Sequence, residues 1–269
     1  MLAIRVWICT NFILRNTSCG ITFDRMAGLE MGILFLVRHA QASFLEQNYD
    51  KLSKLGEKQA RLLGEYWARR NIVFDRVCVG PCVRQKDTLK LVSNAYDSDG
   101  LRFPEPLVLP DFDEYQGEAV LERSLPGLLE NDRSIRDLHA AFQSSSGSTG
   151  HRATFQKLFE AVIGRWVSGA ICPPGVETWL EFSLRVTSGL VKFLSAGSRG
   201  EQVAIFTSGG PIAVTMQRAL NLSPQHTLQV SWMSRNSSWS EFLYAGDRFT
   251  LSAFNTHPHL NDAAMLTYR

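Results

Sequence analysis

Arg38 and His39 are the side chains in this sequence best suited to chemistry, and they stand together at the end of an uncharged apolar run, Ile33-Leu34-Phe35-Leu36-Val37. A guanidinium forks onto the oxygens of an anion, and a neutral imidazole can attack phosphorus. A second arginine, Arg84, follows the turn Gly80-Pro81-Cys82-Val83. It falls in the first turn of the helix expected there, where the helix dipole disfavours a cation unless an anion is close by. The stretch Pro110-Asp111-Phe112-Asp113-Glu114-Tyr115-Gln116-Gly117-Glu118 is densely acidic. One carboxyl with a raised pKa in such a patch can protonate a leaving group. In Thr207-Ser208-Gly209-Gly210-Pro211 the two glycines let backbone approach a ligand. Pro211 starts a helix whose first N–H groups suit an anion.

These residues need a scaffold. The apolar run before Arg38 reads as a strand of a parallel sheet covered on both faces, and ligands of such sheets bind at the carboxyl ends of the strands. Val73–Val79, Leu107–Leu109 and Val203–Phe206 read as further strands. Ser53 is a cap for a helix carrying Leu55, Gln59, Leu62, Leu63, Tyr66 and Trp67 on one face. Ala119–Ile171 reads as mostly helical, broken by a flexible Ser/Gly stretch over 143–150. Trp179, Phe182, Val186, Leu190 and Phe193 mark a long helix. Leu228–Met233, Ser238–Tyr244 and Arg248–Phe254 read as late strands. The expected fold class is α/β, a mostly parallel central sheet flanked by helices, with a helical insertion over about 118–175 that shapes the pocket.

The 269 residues suit one large domain or two small ones, and the formal charge is only +2. The basic residues are scattered, which speaks against a nucleic-acid or membrane-surface partner. No apolar stretch is long enough to span a membrane. The five cysteines form no CxxC pair and no zinc-spaced cluster, which fits a reducing cytoplasm. Residues 1–30 are unlike the rest and make a poor signal peptide. They are expected to be an extension outside a domain spanning 31–269, with Met26 or Met31 as the native start. The polar loop from Gln41 to Asp50 is expected to overhang the site.

Leu36-Val37-Arg38-His39-Ala40-Gln41-Ala42-Ser43 resembles the signature of the histidine phosphatase superfamily, the phosphoglycerate-mutase-like proteins, with Ala40 where Arg-His-Gly is usual. The resemblance extends from about Gly32 to the C-terminus. Leu52-Ser53-Lys54-Leu55-Gly56-Glu57-Lys58-Gln59-Ala60 is similar to a family stretch beside the first strand. Arg84 and Thr88 match a Ser-x-x-x-Arg-x-x-x-Thr motif in which Gly80 replaces the serine. Gly175-Val176-Glu177-Thr178 resembles a Gly-Glu-Ser helix opening, and Asn236-Ser237-Ser238 an Asn-x-Ser turn. The family's Ser-His-Gly-Gly is met by Thr207-Ser208-Gly209-Gly210, so Ser208 replaces the second histidine.

The resemblance implies a phosphomonoester hydrolase working through a phosphohistidine on His39, without metal or cofactor, on a small-molecule phosphate monoester. Arg38 and Arg84 would bind phosphate, Ser208 and Gly209 would line its remaining side, and Glu114 would protonate the leaving group, with Asp113 and Glu118 as alternatives. Losing a charged donor at position 208 costs on the order of 3 kcal/mol at a transition state. The alternatives are a catalytically impaired phospho-ligand-binding pseudophosphatase and a mutase-type phosphotransferase. A mutase in this family uses the second histidine, which Ser208 lacks. Ser208 is no nucleophile elbow, because Phe206 stands where that motif needs glycine. His257 and His259 read as surface or capped histidines rather than replacements for the missing one. The sequence carries no sign of oligomeric state.

Overall fold

A computed structural model describes residues 30–43 and 50–268. The readings made for residues 1–29, including the start codon, and for most of the loop after Ser43 lie outside the described residues.

The chain before Arg38 forms β1 (Gly32–Arg38), in which Leu34, Leu36 and Val37 are fully buried. It is a central strand. A six-stranded sheet adds β2 (Arg76–Val79), β3 (Leu107–Val108), β4 (Gln202–Thr207), β5 (Trp239–Ala245) and β6 (Arg248–Thr256) in the order β3-β2-β4-β1-β5-β6. The first four of that order run parallel, and β5 and β6 are antiparallel. The sheet is thus mixed and mostly parallel, as expected.

Side chains alternate across a strand, so β1 feeds two cores. Phe35 and Val37 pack with Leu63 and Trp67 of α1 (Lys54–Ala68) and with Leu89, Val92 and Tyr96 of α2 (Val83–Ser98). Leu34 and Leu36 pack on the other face with Leu190 and Phe193 of α6 (Trp179–Ser195) and with Ile212 and Met216 of α7 (Gly209–Leu220). Each such side chain stabilises the fold by about 1.5–3 kcal/mol. Ser53 caps α1 by accepting from Gly56 N, and Thr178 caps α6 by accepting from Glu181 N.

Between β3 and α6 the chain forms α3 (Gly117–Asn131), α4 (Arg133–Ser144) and α5 (His151–Val167). They have a core of their own, in which Val120, Ile135, Val162 and Trp166 are buried against Phe182 and Val214.

Leu228–Met233 is a correction. It belongs to a helix, α8 (Pro224–Met233), not to a strand. Leu228, Val230 and Trp232 alternate with polar residues at period two, which mimics a strand. Ser223 decides otherwise: it accepts from His226 N as the cap, and Pro224 takes the first helical position. Pro81 lies just before α2, where Cys82 is the cap residue.

Candidate active site

The parallel strands deliver their ends to one edge. Arg38 is paired with Thr207 in register, and Val79 with Phe206, so the segments leaving β1, β2 and β4 are neighbours. A cavity of about 1410 Å³ opens there, and Arg38, His39, Arg84, Glu114, Glu118 and Gly209 all border it.

His39 is almost fully buried. Its Nδ1 lies 2.8 Å from Ala40 O, and its Nε2 lies 3.3 Å from Arg84 Nε. Arginine can only donate and a carbonyl can only accept. Nδ1 therefore carries the proton, and Nε2 presents its lone pair. Burial, and then the positive charges of Arg84 and Arg38, hold the imidazole well below its ordinary pKa. A neutral imidazole is the nucleophilic form.

Two arginines flank it. Arg38 donates to Ser234 O. Arg84 is oriented by Asp50, whose carboxylate takes the guanidinium at 2.7 Å and also accepts from Val83 N at the start of α2. An acid at that helix end suits the dipole that the arginine opposes. Thr88 joins the two motifs: it donates to Arg84 O and accepts from Ala40 N.

Among the acids, the structure separates three neighbours. Glu114 is half-buried at the cavity, with Oε2 accepting from Gly210 N at 3.1 Å. Burial raises its pKa, against the opposing pull of Gly210 N–H and Arg84. A Cβ at 210 would lie 2.0 Å from Glu114 Oε1 and 2.8 Å from Tyr115 Cδ1, so glycine there lets the carboxylate close on the start of α7. Asp113 faces elsewhere, accepting from Cys82 Sγ and Glu114 N. Glu118 reaches the cavity from α3 but is exposed.

Ser208 is fully buried as the cap residue of α7, and it does not border the cavity. Its hydroxyl accepts from Gln85 Nε2 at 2.8 Å. Gln85 is itself a hub, accepting from Cys82 N and donating to Phe112 O. It also explains Gly80, where a Cβ would meet Gln85 Oε1 at 2.2 Å and Phe112 O at 2.5 Å. His257 and His259 do not border the cavity either. His257 contacts Arg235, and His259 is bonded to Ser237 Oγ and stacked on Trp239.

The chain's last turn was not foreseen. Leu266, Thr267 and Tyr268 border the cavity. Thr267 O accepts from Asn236 N, and Thr267 Oγ1 donates to Asn236 Oδ1 and accepts from Gln59 Nε2. Gln59 and Asn236 also hold the backbone on either side of Ala40, through Gln41 N and His39 O. Asp50, Gln59, Gln85 and Ser231 of α8 are polar residues of the site that sequence reading missed or assigned to packing. Only Gln59, a polar residue on an apolar helix face, carried a signal.

The fold is the α/β fold of phosphoglycerate-mutase-like proteins. A protein-family model, that of the histidine phosphatase superfamily (branch 1), matches residues 146–257. The matched stretch holds Ser208 and Gly209, while Arg38, His39, Arg84 and Glu114 precede it. Solved structures agree on the fold. A putative alpha-ribazole-5'-P phosphatase from Escherichia coli aligns with a TM-score of 0.57 at 17% identity, over 84% of this chain and 96% of that one. Phosphoglycerate mutase from Bacillus anthracis aligns at 0.56 and 17%, over 86% and 96%. A phosphoserine phosphatase from Entamoeba histolytica aligns at 0.56 and 16%, over 85% and 99%. No curated protein matches the chain.

Among the described residues no helix is long and apolar enough to cross a membrane, and no His/Cys/Asp/Glu group has a metal-binding arrangement.

Proposed function

We propose that this chain is a phosphomonoester hydrolase that acts through a phosphohistidine on His39. The observation that carries the reading is the state of His39: a buried imidazole bordering the cavity, with Nδ1–H on Ala40 O, an unprotonated Nε2 that accepts from Arg84 Nε, and the charges of Arg84 and Arg38 helping to keep the ring neutral. Arg38 and Arg84 take the phosphate oxygens in place of bulk water. Nε2 attacks phosphorus as the bond to the leaving oxygen breaks, and the Glu114 carboxyl gives that oxygen its proton. The Nδ1–H bond to Ala40 O stabilises the positive ring that forms. The Glu114 carboxylate then takes a proton from water as the water oxygen displaces Nε2 from phosphorus. Inorganic phosphate leaves, and His39 is neutral again.

The substrate is a small-molecule phosphate monoester whose leaving group enters between α3, α5, α8 and the last turn. The arginines and the N–H groups opening α7 supply the positive charge the transition state needs, so the scheme uses no metal or cofactor. The reading also takes residues 31–269 as the catalytic domain and places it in the cytoplasm.

The test is turnover of p-nitrophenyl phosphate by the chain and by His39→Ala, each with a metal chelator present. The expected result is chelator-resistant activity that falls on the order of a thousandfold or more in His39→Ala. Turnover equal in the two proteins, with inorganic phosphate still bound, would mean a phospho-ligand-binding protein instead.

A further inference from the structure

Ser231 is more than nine-tenths buried, yet it borders the cavity. Among the described residues its hydroxyl has no hydrogen-bond partner. The more deeply buried hydroxyls of the same region behave differently. Thr207, Thr215 and Thr227 each donate to a backbone carbonyl. Ser231 Oγ keeps some solvent access at the cavity wall, and a hydroxyl donor held there without a protein partner calls for an explanation.

The surroundings supply one. Gly209 opens α7 directly after β4. A Cβ on Gly209 would lie 3.2 Å from Ser231 Oγ and 3.9 Å from the guanidinium carbon of Arg38. Since residue 209 is glycine, a gap stays open between the Ser231 hydroxyl, the Arg38 guanidinium and the start of α7. All three border the cavity that holds His39. A hydroxyl, a guanidinium and a helix N-terminus around one gap are the donors a tetrahedral oxyanion requires.

Resting on the hydrolase reading for the identity of the anion, we propose that Ser231 is a phosphate-binding residue. Its hydroxyl donates to a phosphoryl oxygen that Arg38 also holds. The donor comes from α8, while the hydroxyl of Ser208 is engaged by Gln85 outside the cavity.

The experiment is calorimetric titration of inorganic phosphate into the wild-type chain, Ser231→Ala, Ser231→Cys and, as a neighbouring control, Met233→Ala. Met233 is exposed at the end of α8. Phosphate affinity is expected to fall about tenfold in Ser231→Ala, the size of a lost bond to a charged acceptor. The thermal midpoint should stay in place, since no bond within the protein is lost. Ser231→Cys keeps the volume with a weak donor and should fall in the same direction, so the result survives if the alanine variant folds badly. Met233→Ala should bind like wild type. Phosphate affinity within twofold of wild type in both serine variants would overturn the proposal. Binding is read without turnover. Phosphate that binds through Ser231 without His39-dependent hydrolysis would overturn the hydrolase reading alone, whereas hydrolysis with unchanged phosphate binding in the variants would overturn the role of Ser231 alone.

Discussion

His39 and Glu114 are displaced from their ordinary pKa values in opposite directions, and both displacements begin with burial. The cation-forming histidine goes down and the anion-forming glutamate goes up. The proposed reaction needs His39 neutral, so activity is expected to fall as pH drops through its lowered pKa. It also needs Glu114 protonated, so activity falls again as pH rises through its raised pKa. A bell-shaped profile of kcat/KM is the expected outcome for an alkyl phosphate. Glu114→Gln should remove the alkaline limb and cost about a hundredfold with poor leaving groups, and much less with p-nitrophenol. Measuring both substrates across pH checks it; a profile unchanged in Glu114→Gln would assign the proton to another group. At this scale Arg38 and His39, which border the cavity, were legible because their types are unusual beside an apolar run. The polar residues that hold them were not. Gln85 and Ser231 have no motif of their own, and only the packing shows that Gln85 turns Ser208 away while Ser231 faces inward.

One side chain ties α6 to the turn that leads into Glu114. Arg185 of α6 grips the Glu177 carboxylate with two nitrogens, at 2.6 and 3.1 Å. Its remaining nitrogen donates to the carbonyls of Pro110, Asp111 and Asp113, the turn that leads into Glu114. Gly189, one turn further along α6, admits that turn closely: a Cβ there would lie 2.2 Å from Asp111 Cβ. Arg185→Met keeps the apolar stem and drops the bonds. It should lower kcat about tenfold for alkyl phosphates, where proton delivery limits the rate, and leave aryl phosphates nearly unchanged. Equal losses on both would show a general distortion instead. β1 and β4 were readable as strands because they are buried on both faces and carry unbroken apolar runs. α8 was not, because its apolar residues happen to fall at alternate positions while its cap, Ser223, sits five residues before the first of them, Leu228.

For the molecule as a whole, acid is the destabilising condition. His259 is buried against Trp239 and Tyr66, and burial holds its pKa down to about 3. Its pKa is lower folded than unfolded, so the unfolded chain takes the proton first. Stability is lost as pH falls below the ordinary histidine value near 6.5. Between pH 7 and pH 4 this group alone costs on the order of 3 kcal/mol. His39 acts in the same direction, and Glu114, with its raised pKa, in the opposite one. Urea unfolding at the two pH values checks it: His259→Gln, which can keep a bond to Ser237, should lose that share of the acid sensitivity. The α/β architecture followed from the pattern of apolar runs and helix faces. The closing of the chain's last turn over the cavity left no trace in the sequence. It depends on contacts from Gln59 and Asn236 to Thr267 across long chain separations, which no local pattern encodes.

Trp232 gives the molecule an optical handle. It is the only tryptophan among the described residues that borders the cavity, and it adjoins Ser231 in α8. Trp67 and Trp166 are sealed in the two cores on either side. Indole emission is sensitive to nearby charge and water, so an anion arriving beside Ser231 should alter the emission of Trp232 and leave the buried indoles dark to it. Trp232→Phe should abolish that change. Occupancy of the cavity thereby becomes readable in real time, with ligands that neither absorb light nor react.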